Sequence, residues 1–457
     1  MVKWYYVRAG KGRLLLCPGT AAIMTKPTVN ICWLRRDIRL RDNHALYRAL
    51  EAGRPVLVIF IFDKNILSKL SDPKDKRLTF IHNSLSDLNE EMQRYHSSLY
   101  AVYDTPLHAF QVLLNQFEAQ EVFANHDYEP YALARDREVL AFLHEKQVPF
   151  HTFKDQVIFE KSEIIKPDRS PYTVFTPYSN RWKQLYRETA TSHFPSEKKL
   201  SGLFTTAPFP FPALTDMGFE TVSLDGPRPQ LDKNLLETYQ HTRELPFISG
   251  TSQVSTDLRF GLVSVRELVR LAEQYSETWL DELIWREFFM MILFHFPRVV
   301  DQSFKQKYDL IPWRNDEGEF ERWCRGETGF PIVDAGMRQL NETGWMHNRV
   351  RMIVASFLVK HLLIDWRWGE AYFAGKLLDY ELASNNGNWQ WAAGSGCDAV
   401  PYFRIFNPWL QAKKFDPEEK YVKRWIDAYP ENNIPPMVDH EFARKRALET
   451  YNKALKI

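Results

Sequence analysis

The sequence has few cysteines, no long apolar run and almost no net charge, and each absence excludes a class of protein. The four cysteines, Cys17, Cys32, Cys324 and Cys397, have neither paired nor metal-ligand spacing. This argues against a disulfide framework or a zinc site and predicts a reducing compartment, the cytoplasm. No stretch reaches the roughly 18 apolar residues that would predict a membrane span. A formal net charge of +1 excludes a globally basic nucleic-acid binder but permits one basic groove.

Tryptophan, in contrast, is abundant and unevenly placed. The chain has 14 tryptophans, and twelve of them lie from Trp182 onward. Indole stacks well on planar rings, and its N–H needs a partner when it is buried. The enrichment therefore suits a C-terminal half that handles flat ligands, although a large helical core would also collect indoles.

The 457 residues are more than one core usually holds, so at least two domains are expected. Residues 1–25 are expected to be either a disordered leader or the result of a translation start that was assigned too early. Residues 26–155 alternate apolar strands, such as VLVIFIF, with amphipathic helices, which predicts a doubly wound parallel α/β domain. Because no G-x-G-x-x-G follows the first strand, a nicotinamide-dependent oxidoreductase is not favoured.

The second half of the chain has a different pattern. Residues 156–225 are rich in proline, serine and aromatics and predict a long ordered linker. Residues 226–457 are helical almost throughout and form a second, all-α domain. Its long helices are predicted over residues 262–274, 278–296, 348–364 and 368–380.

The helix TWLDELIWREFFMMILFHF carries the first candidate site residues. Glu282, Trp285 and Phe289 recur at spacings of three and four, so they share one face. A carboxylate beside an indole is what a pocket for a flat, hydrogen-bonding base requires. The alternative is a buried helix with an intrahelical pair between Glu282 and Arg286.

The segment GWMHNRVRMIVASFLVKHLL carries the second set. Asn348 and Met352 lie one turn apart on one face, and Arg349 and Arg351 point elsewhere. An amide can donate to and accept from the edge of a heterocycle, and methionine makes an adaptable apolar contact. Arg349 could bind a phosphate, and Arg351 could equally form a structural ion pair.

The segment LLDYELASNNGNWQWAAGSGCDAVPYFRIFNP is the most specific. The dipeptide Asn386-Gly387 predicts a turn. Asn385 precedes it, and Trp389 and Trp391 follow at alternating positions. Small residues, amides and indoles are unusually dense here for a purely structural helix pair.

Together with WLRRDIRLRDNHAL, YTVFTPYSNRW and GTSQVS, these segments closely resemble the photolyase/cryptochrome family, and specifically the bacterial class I cyclobutane-dimer photolyases. The resemblance covers nearly the whole chain after Met24. It implies an FAD bound non-covalently in the helical domain and a light-driven carbon–carbon lyase reaction. Excited FADH⁻ would give an electron to a pyrimidine dimer flipped out of DNA, and the electron would return after the ring opens.

The resemblance also implies roles for individual residues. The flavin-binding positions are Tyr239, Thr251, Ser252, Gln253, Val254, Ser255, Arg286, Asn348, Arg351, Asp379, Glu381 and Asn385. The catalytic pocket for the dimer matches Glu282, Asn348, Met352, Trp285 and Trp391. The DNA contacts match Arg243, Glu282, Trp285, Arg349, Trp391, Arg404 and Lys414, and the electron-transfer chain matches Trp389, Trp366 and Trp313.

Three of these positions carry more detail. Asp379 matches the acid that pairs with the arginine at Arg351. Asn385 matches the residue that faces flavin N5, where plant and animal cryptochromes commonly have aspartate or cysteine. Glu381 stands where the family usually has aspartate, so its contact geometry is expected to differ while its charge is kept.

The resemblance leaves the antenna chromophore open. Where folate-binding relatives have asparagine and glutamate, this chain has Tyr131 and Ala132. Folate is therefore not expected, and a deazaflavin, a second flavin or no antenna remain.

Two other functions within the family are alternatives. A (6-4) photolyase needs histidines where Asn348 and Met352 stand. A cryptochrome that signals in blue light is disfavoured by Asn385 and by the complete dimer pocket. The expected partner is damaged DNA, double- or single-stranded, bound by a monomer in the nucleoid without membrane contact.

Overall fold

The computed structural model describes residues 26–189, 192–226, 228–432 and 434–455. The predicted leader, residues 1–25, and with it Cys17, lies outside the described residues. Cys32, Cys324 and Cys397 are all unpaired. Within the described ranges, no group of His, Cys, Asp or Glu could hold a metal ion. In the same part of the chain, no helix has the length and apolar character needed to cross a bilayer.

Five parallel strands form a sheet in the N-terminal part. They are β1 (Thr28–Leu34), β2 (Val56–Asp63), β3 (Tyr100–Asp104), β4 (Glu118–Asn125) and β5 (Phe150–Phe153), in the order β3-β2-β1-β4-β5. The central strands β1 and β2 are buried almost throughout, because helices cover both faces of a parallel sheet. The strand order reverses after β3, so the predicted doubly wound α/β fold is confirmed.

The helices of this region alternate with the strands. They are α1 (His44–Glu51), α2 (Lys64–Leu67), α3 (Lys76–Gln93), α4 (Pro106–Gln116) and α5 (Pro130–Glu145). Asn43 begins α1, because its side chain accepts a hydrogen bond from the Leu46 amide. Proline occupies the first position of both α4 and α5, where a missing N–H costs nothing.

The segment 156–225, predicted as a linker, contains regular structure. It holds helix α6 (Phe175–Glu188) and two 3₁₀ turns, Ser196–Gly202 and Leu214–Met217. Its Trp182 is buried and donates its indole N–H to Glu287 at 2.6 Å. The helix of the segment therefore packs into the C-terminal core, whereas Leu200, Leu203 and Leu214 pack into the core of the α/β part.

The C-terminal part is helical, as predicted. Its helices are α7 (Lys233–Thr242), α8 (Ser255–Phe260), α9 (Val265–Tyr275), α10 (Glu277–His295), α11 (Glu317–Arg325), α12 (Pro331–Thr343), α13 (Asn348–Ser356), α14 (Trp366–Lys376), α15 (Leu382–Ala393), α16 (Pro408–Phe415), α17 (Lys420–Trp425) and α18 (His440–Leu455). The predicted helix over 348–364 is shorter than expected. It becomes a π-helical turn at Phe357–His361, a wider turn that often interrupts α-helices near functional sites.

The prediction of a turn at Asn386-Gly387 is wrong. Both residues lie inside α15. Packing explains the glycine, since a β-carbon at Gly387 would stand 2.2 Å from a ring carbon of Phe289. The amide of Asn386 donates to the Val299 carbonyl at 2.9 Å. Tertiary contacts rather than local turn formation therefore account for this dipeptide.

Candidate functional site

A cavity of about 440 Å³ opens between the helices of the C-terminal part, a volume in the range of small-molecule sites. The predicted residues that line it are Tyr239, Arg243, Thr251, Ser252, Gln253, Val254, Ser255, Glu282, Trp285, Arg286, Asn348, Arg351, Met352, Asp379, Glu381 and Trp391. A smaller cavity of about 100 Å³ shares several of these residues and is also lined by Asn385 and Trp389. Residues scattered from 239 to 391 are thus brought to one place.

Helix α10 presents Glu282, Trp285 and Phe289 to the larger cavity, as their spacing predicts. Phe175, at the start of α6, stacks on Trp285 with ring centroids 3.7 Å apart and planes 5° from parallel. This stack fixes one face of the indole. The Phe175 backbone N–H is held in turn by the Asp398 carboxylate at 2.9 Å.

Glu282 pairs with Arg243, whose Nη1 lies 2.5 Å from the Glu282 Oε1. The alternative prediction, a pair with Arg286 within the helix, is therefore wrong. Burial raises the pKa of Glu282, and the Arg243 guanidinium opposes that shift. The carboxylate is thus half-buried at the cavity and has the Arg243 guanidinium as its closest cation.

Asp379 has one satisfied and one unsatisfied carboxylate oxygen. Its Oδ2 accepts from Arg351 Nη2 at 2.8 Å and from the Ser255 hydroxyl at 2.6 Å. Its Oδ1 is buried without a hydrogen-bonding partner among the described residues. Arg351 lines the cavity together with Asn348, so the expectation that Arg351 points elsewhere is wrong. An unpartnered buried acceptor costs about 1–3 kcal/mol, so this wall fits a ligand that donates an N–H.

The loop before α8 supplies backbone and hydroxyl groups to the same cavity. Gln253 has a φ of +54°, a left-handed conformation that is uncommon outside glycine. The Ser252 hydroxyl accepts from the Trp279 indole at 3.2 Å. The loop is therefore tied to α10.

Asn385 lies in the smaller cavity and is held through its amide nitrogen. Nδ2 donates to the Glu370 carboxylate at 2.8 Å and to the Glu370 backbone carbonyl at 3.1 Å. Both N–H groups of the amide are thereby engaged, which leaves the carbonyl oxygen as the group that can meet a ligand.

Of the three tryptophans predicted to carry electrons, Trp389 lines the smaller cavity. Trp389 is buried, and its ring packs on Gly369 of α14, one turn after Trp366. Trp366 is buried, and Trp313 is half-buried, with its ring 6.0 Å from that of Tyr451. Trp313 is thus the most exposed of the three, while the electron-hopping role itself stays a prediction.

Four of the predicted DNA contacts line the larger cavity, and the other three, Arg349, Lys414 and Arg404, lie outside both cavities. Arg349 pairs with Glu244, and its guanidinium lies over the ring of Phe415, 4.4 Å from the centroid. Lys414 lies over the same ring at 4.9 Å. Arg404 is exposed on a separate loop and does not line either cavity.

Several residues of the site were not found from the sequence. They are Glu244, Leu258, Arg259, Trp279, Leu283, Trp345, Met346, Ser384 and Asn388, all of which line the larger cavity. Most of them are neighbours of predicted residues on the same helices or loops. Helical periodicity could have found Ser384, three positions after Glu381, and Asn388, three positions before Trp391.

Comparison with known proteins now identifies the family. Residues 30–198 match the family described as DNA photolyase, and residues 279–435 match the FAD binding domain of DNA photolyase. A deoxyribodipyrimidine photo-lyase of Synechococcus sp. is 35% identical over 466 residues, covering 92% of this chain and 96% of the relative. The chain belongs to the DNA photolyase family. The predicted assignments to the lyases and to the flavoproteins, with FAD as cofactor, are thereby confirmed.

Solved photolyase structures agree with this fold. A bacterial class III photolyase from Agrobacterium tumefaciens superposes with a TM-score of 0.82 at 32% identity, covering 96% of this photolyase chain and 100% of the other. An archaeal photolyase from Sulfolobus tokodaii with two FAD molecules gives a TM-score of 0.77 at 30% identity, covering 93% and 99%. Because a class III enzyme is among them, the class I assignment stays a prediction.

Proposed function

We propose that this chain repairs cyclobutane pyrimidine dimers in DNA by light-driven electron transfer. The observation that carries the proposal is that the residues expected to bind the flavin and those expected to bind the dimer line one cavity. Electron transfer from an excited flavin requires the flavin and the dimer to lie close together, and this cavity is lined by residues expected to bind each of them.

The residues present fit FAD. Asp379 offers an unpartnered buried oxygen to a ring N–H, and Asn385 offers a carbonyl oxygen because its nitrogen is bound by Glu370. Arg286, beside the larger cavity, supplies positive charge. When bound and reduced, FAD supplies the light absorption and the electron that opens the cyclobutane ring.

The other wall of the cavity fits a flipped pair of pyrimidines. Trp285, held rigid by its stack on Phe175, gives a flat apolar surface on which a base can lie. Glu282 and Asn348 can hydrogen-bond to pyrimidine edges, and Met352 and Trp391 give apolar contacts. Extrusion of a crosslinked, poorly stacked pair costs less than extrusion of normal bases, which favours damaged sites.

The basic residues would hold the DNA backbone. Arg243 lies at the cavity, and Arg349 and Lys414 meet at the Phe415 ring. Contacts of this kind bind phosphate without reading sequence and weaken as salt rises. A photolyase needs this behaviour because dimers occur in many sequence contexts.

The side chains of this site do not favour the alternative function, that of a (6-4) photolyase. Among the described residues, neither cavity is lined by a histidine. His347 adjoins Asn348 in sequence, but its Nδ1 accepts from the Arg349 backbone N–H at 3.2 Å. Burial lowers the pKa of His347 to about 4, so it is a poor proton donor near neutral pH.

The deciding experiment uses the FAD-loaded, reduced protein and an oligonucleotide with one thymine dimer. We expect illumination to restore the two thymines, measured by chromatography of the digested strand. A dark sample and an oligonucleotide with a (6-4) photoproduct serve as controls, and both should stay unchanged. An intact dimer after illumination of fully reduced protein would disprove the repair function and favour signalling.

A further inference from the structure

Glu381 connects the flavin cavity to the N-terminal α/β part of the molecule. Its carboxylate is buried and lines both cavities. Oε2 lies 3.3 Å from Arg286 Nε and accepts from the Ser384 hydroxyl at 3.2 Å. Oε1 accepts from Arg286 Nη2 at 3.3 Å and from Nη2 of Arg36. Arg36 follows β1, 345 positions before its partner.

Arg36 belongs to a closed network of charges. Its Nη1 lies 3.2 Å from Asp127 and 3.1 Å from Glu129. The same Glu129 oxygen is 3.2 Å from Arg259 Nη1. The network therefore contains three arginines and three carboxylates: Arg36, Arg259 and Arg286, and Asp127, Glu129 and Glu381.

The network crosses between the two parts of the chain. Arg36, Asp127 and Glu129 come from the α/β part, whereas Arg259, Arg286 and Glu381 come from the helical part and line the larger cavity. Opposite charges are equal in number, so no charge of the network is left uncompensated. Removing one member of such a network leaves a buried charge without its partner, which is strongly unfavourable.

The position of the Glu381 carboxylate depends on both of its arginines. Burial alone raises the pKa of Glu381, but Arg286, Arg36 and Arg259 together outweigh burial and hold that pKa below its usual value. Without Arg36, one carboxylate oxygen would lose its main partner from the α/β part. The side chain could then turn toward Arg286 alone and shift the cavity wall.

We propose that Arg36 is a positioning residue for the flavin site, which acts by holding Glu381 and, through it, Arg286. The α/β domain thereby completes a cofactor site that otherwise lies in the helical domain. This inference rests on the proposed placement of FAD in the larger cavity.

A second buried network offers a matched control. Arg39, from the same segment after β1, is buried and lies 2.6 Å from Asp155. It also donates to the Gly261 carbonyl of the helical part at 3.0 Å. Asp155 is bound in turn by Arg266 of α9 at 2.8 Å. None of these residues lines either cavity, so this network connects the same two parts without contacting the flavin site.

The experiment measures the FAD dissociation constant of the full chain by fluorescence titration of the apoprotein. The variants are Arg36→Met, Glu381→Gln, their double mutant and Arg39→Met. We expect Arg36→Met and Glu381→Gln each to weaken FAD binding by roughly tenfold, and the double mutant to be no weaker than the worse single mutant. Arg39→Met should lower the melting temperature as Arg36→Met does, yet keep the wild-type FAD affinity.

Other outcomes would overturn the inference. Unchanged FAD affinity in Arg36→Met, with weakened binding in Glu381→Gln, would show that Arg36 does not position the site. If the double mutant weakens FAD binding by the product of the two single-mutant factors, Arg36 does not act through Glu381. If Glu381→Gln and Asp379→Asn both bind FAD normally, the placement of FAD in this cavity fails instead.

A conservative variant covers the case in which Arg36→Met does not fold. Arg36→Lys keeps the charge but cannot reach Asp127, Glu129 and Glu381 at once, because a lysine lacks the planar fork of donors. We expect a folded protein with FAD affinity between those of the wild type and Glu381→Gln. Wild-type affinity in this variant would contradict the proposed role.

Discussion

Gly387 of α15 lies directly against the ring of Phe289 on α10, where a β-carbon would stand 2.2 Å from ring carbon Cδ1. This contact lets the two helices approach closely. Helix α10 carries Glu282 and Trp285, and α15 carries Asn385 and Trp391, so the contact sets the distance between the two walls of the cavity. A conformational reason for the glycine is not needed, because it lies within a regular helix.

The first prediction is that Gly387→Ala destabilises the protein. Overpacking typically costs about 1–3 kcal/mol, which exceeds the gain of about 1 kcal/mol from replacing glycine by alanine in a helix. FAD binding should weaken as well, because the helices must move apart. The matched control is Gly375→Ala in α14, where a β-carbon meets nothing within 4 Å. Urea unfolding should show a loss of stability in the first variant and none in the second.

A second prediction concerns pH and Glu287. This carboxylate accepts from the backbone N–H groups of Ile158 and Phe159 at 2.8 and 2.9 Å, and from the Trp182 indole. Burial raises its pKa from 4.5 to about 7. As pH rises, Glu287 therefore loses its proton at a lower pH in the unfolded chain than in the folded protein. Stability from this group falls by about 3 kcal/mol between about pH 4.5 and pH 7 and then stays constant.

Comparison of wild type with Glu287→Gln isolates this effect, because glutamine does not titrate. The free energy of unfolding of the wild type minus that of the variant should be larger at about pH 5 than at about pH 8. Glu273→Gln, at an exposed position, is the control for the loss of one negative charge. An equal difference at both pH values would contradict a raised pKa for Glu287.

Much of the fold could be predicted because its signals are local. The run from Val56 to Phe62 is apolar and fully buried, which alone predicts a central parallel strand. The face shared by Glu282 and Trp285 follows from helical spacing. The individual site roles, in contrast, came from resemblance in long motifs and still await tests.

The errors and omissions arise where distant residues meet. The dipeptide Asn386-Gly387 favours a turn locally, but contacts with Val299 and Phe289 keep it helical. No spacing pattern could connect Arg36 with its partner 345 positions away. The stack of Phe175 on Trp285 likewise joins two different helices, so it becomes visible only in three dimensions.

The third prediction is that Trp366→Phe blocks photoreduction of oxidised FAD but leaves repair by pre-reduced protein intact. Phenylalanine fills most of the volume of the buried indole but is much harder to oxidise. Trp368→Phe on the same helix is the control, since Trp368 is half-buried against Phe320 and is not a predicted chain member. Flash spectroscopy should show normal photoreduction in this control. Persistent photoreduction in Trp366→Phe would mean that electrons reach the flavin by another route.

The fourth prediction separates recognition of the lesion from binding of the DNA backbone. Glu282→Ala should weaken binding of dimer-containing DNA by roughly tenfold, the value of a hydrogen bond to a charged group. Its FAD affinity should be unchanged. The variant also removes the closer of the two carboxylates that pair with Arg243, at 2.5 Å, and leaves only Glu244 at 3.6 Å. That arginine becomes more available to phosphates.

Undamaged DNA should therefore bind Glu282→Ala slightly more tightly than it binds the wild type. The ratio of the affinity for dimer-containing DNA to the affinity for undamaged DNA should then fall by more than either affinity changes alone. Gel-shift titrations at two salt concentrations measure both. Glu277→Ala, at the exposed start of the same helix, removes an equal charge away from the cavity and should keep the ratio. If both variants lower the ratio equally, the effect is one of overall charge, and Glu282 does not contact the dimer.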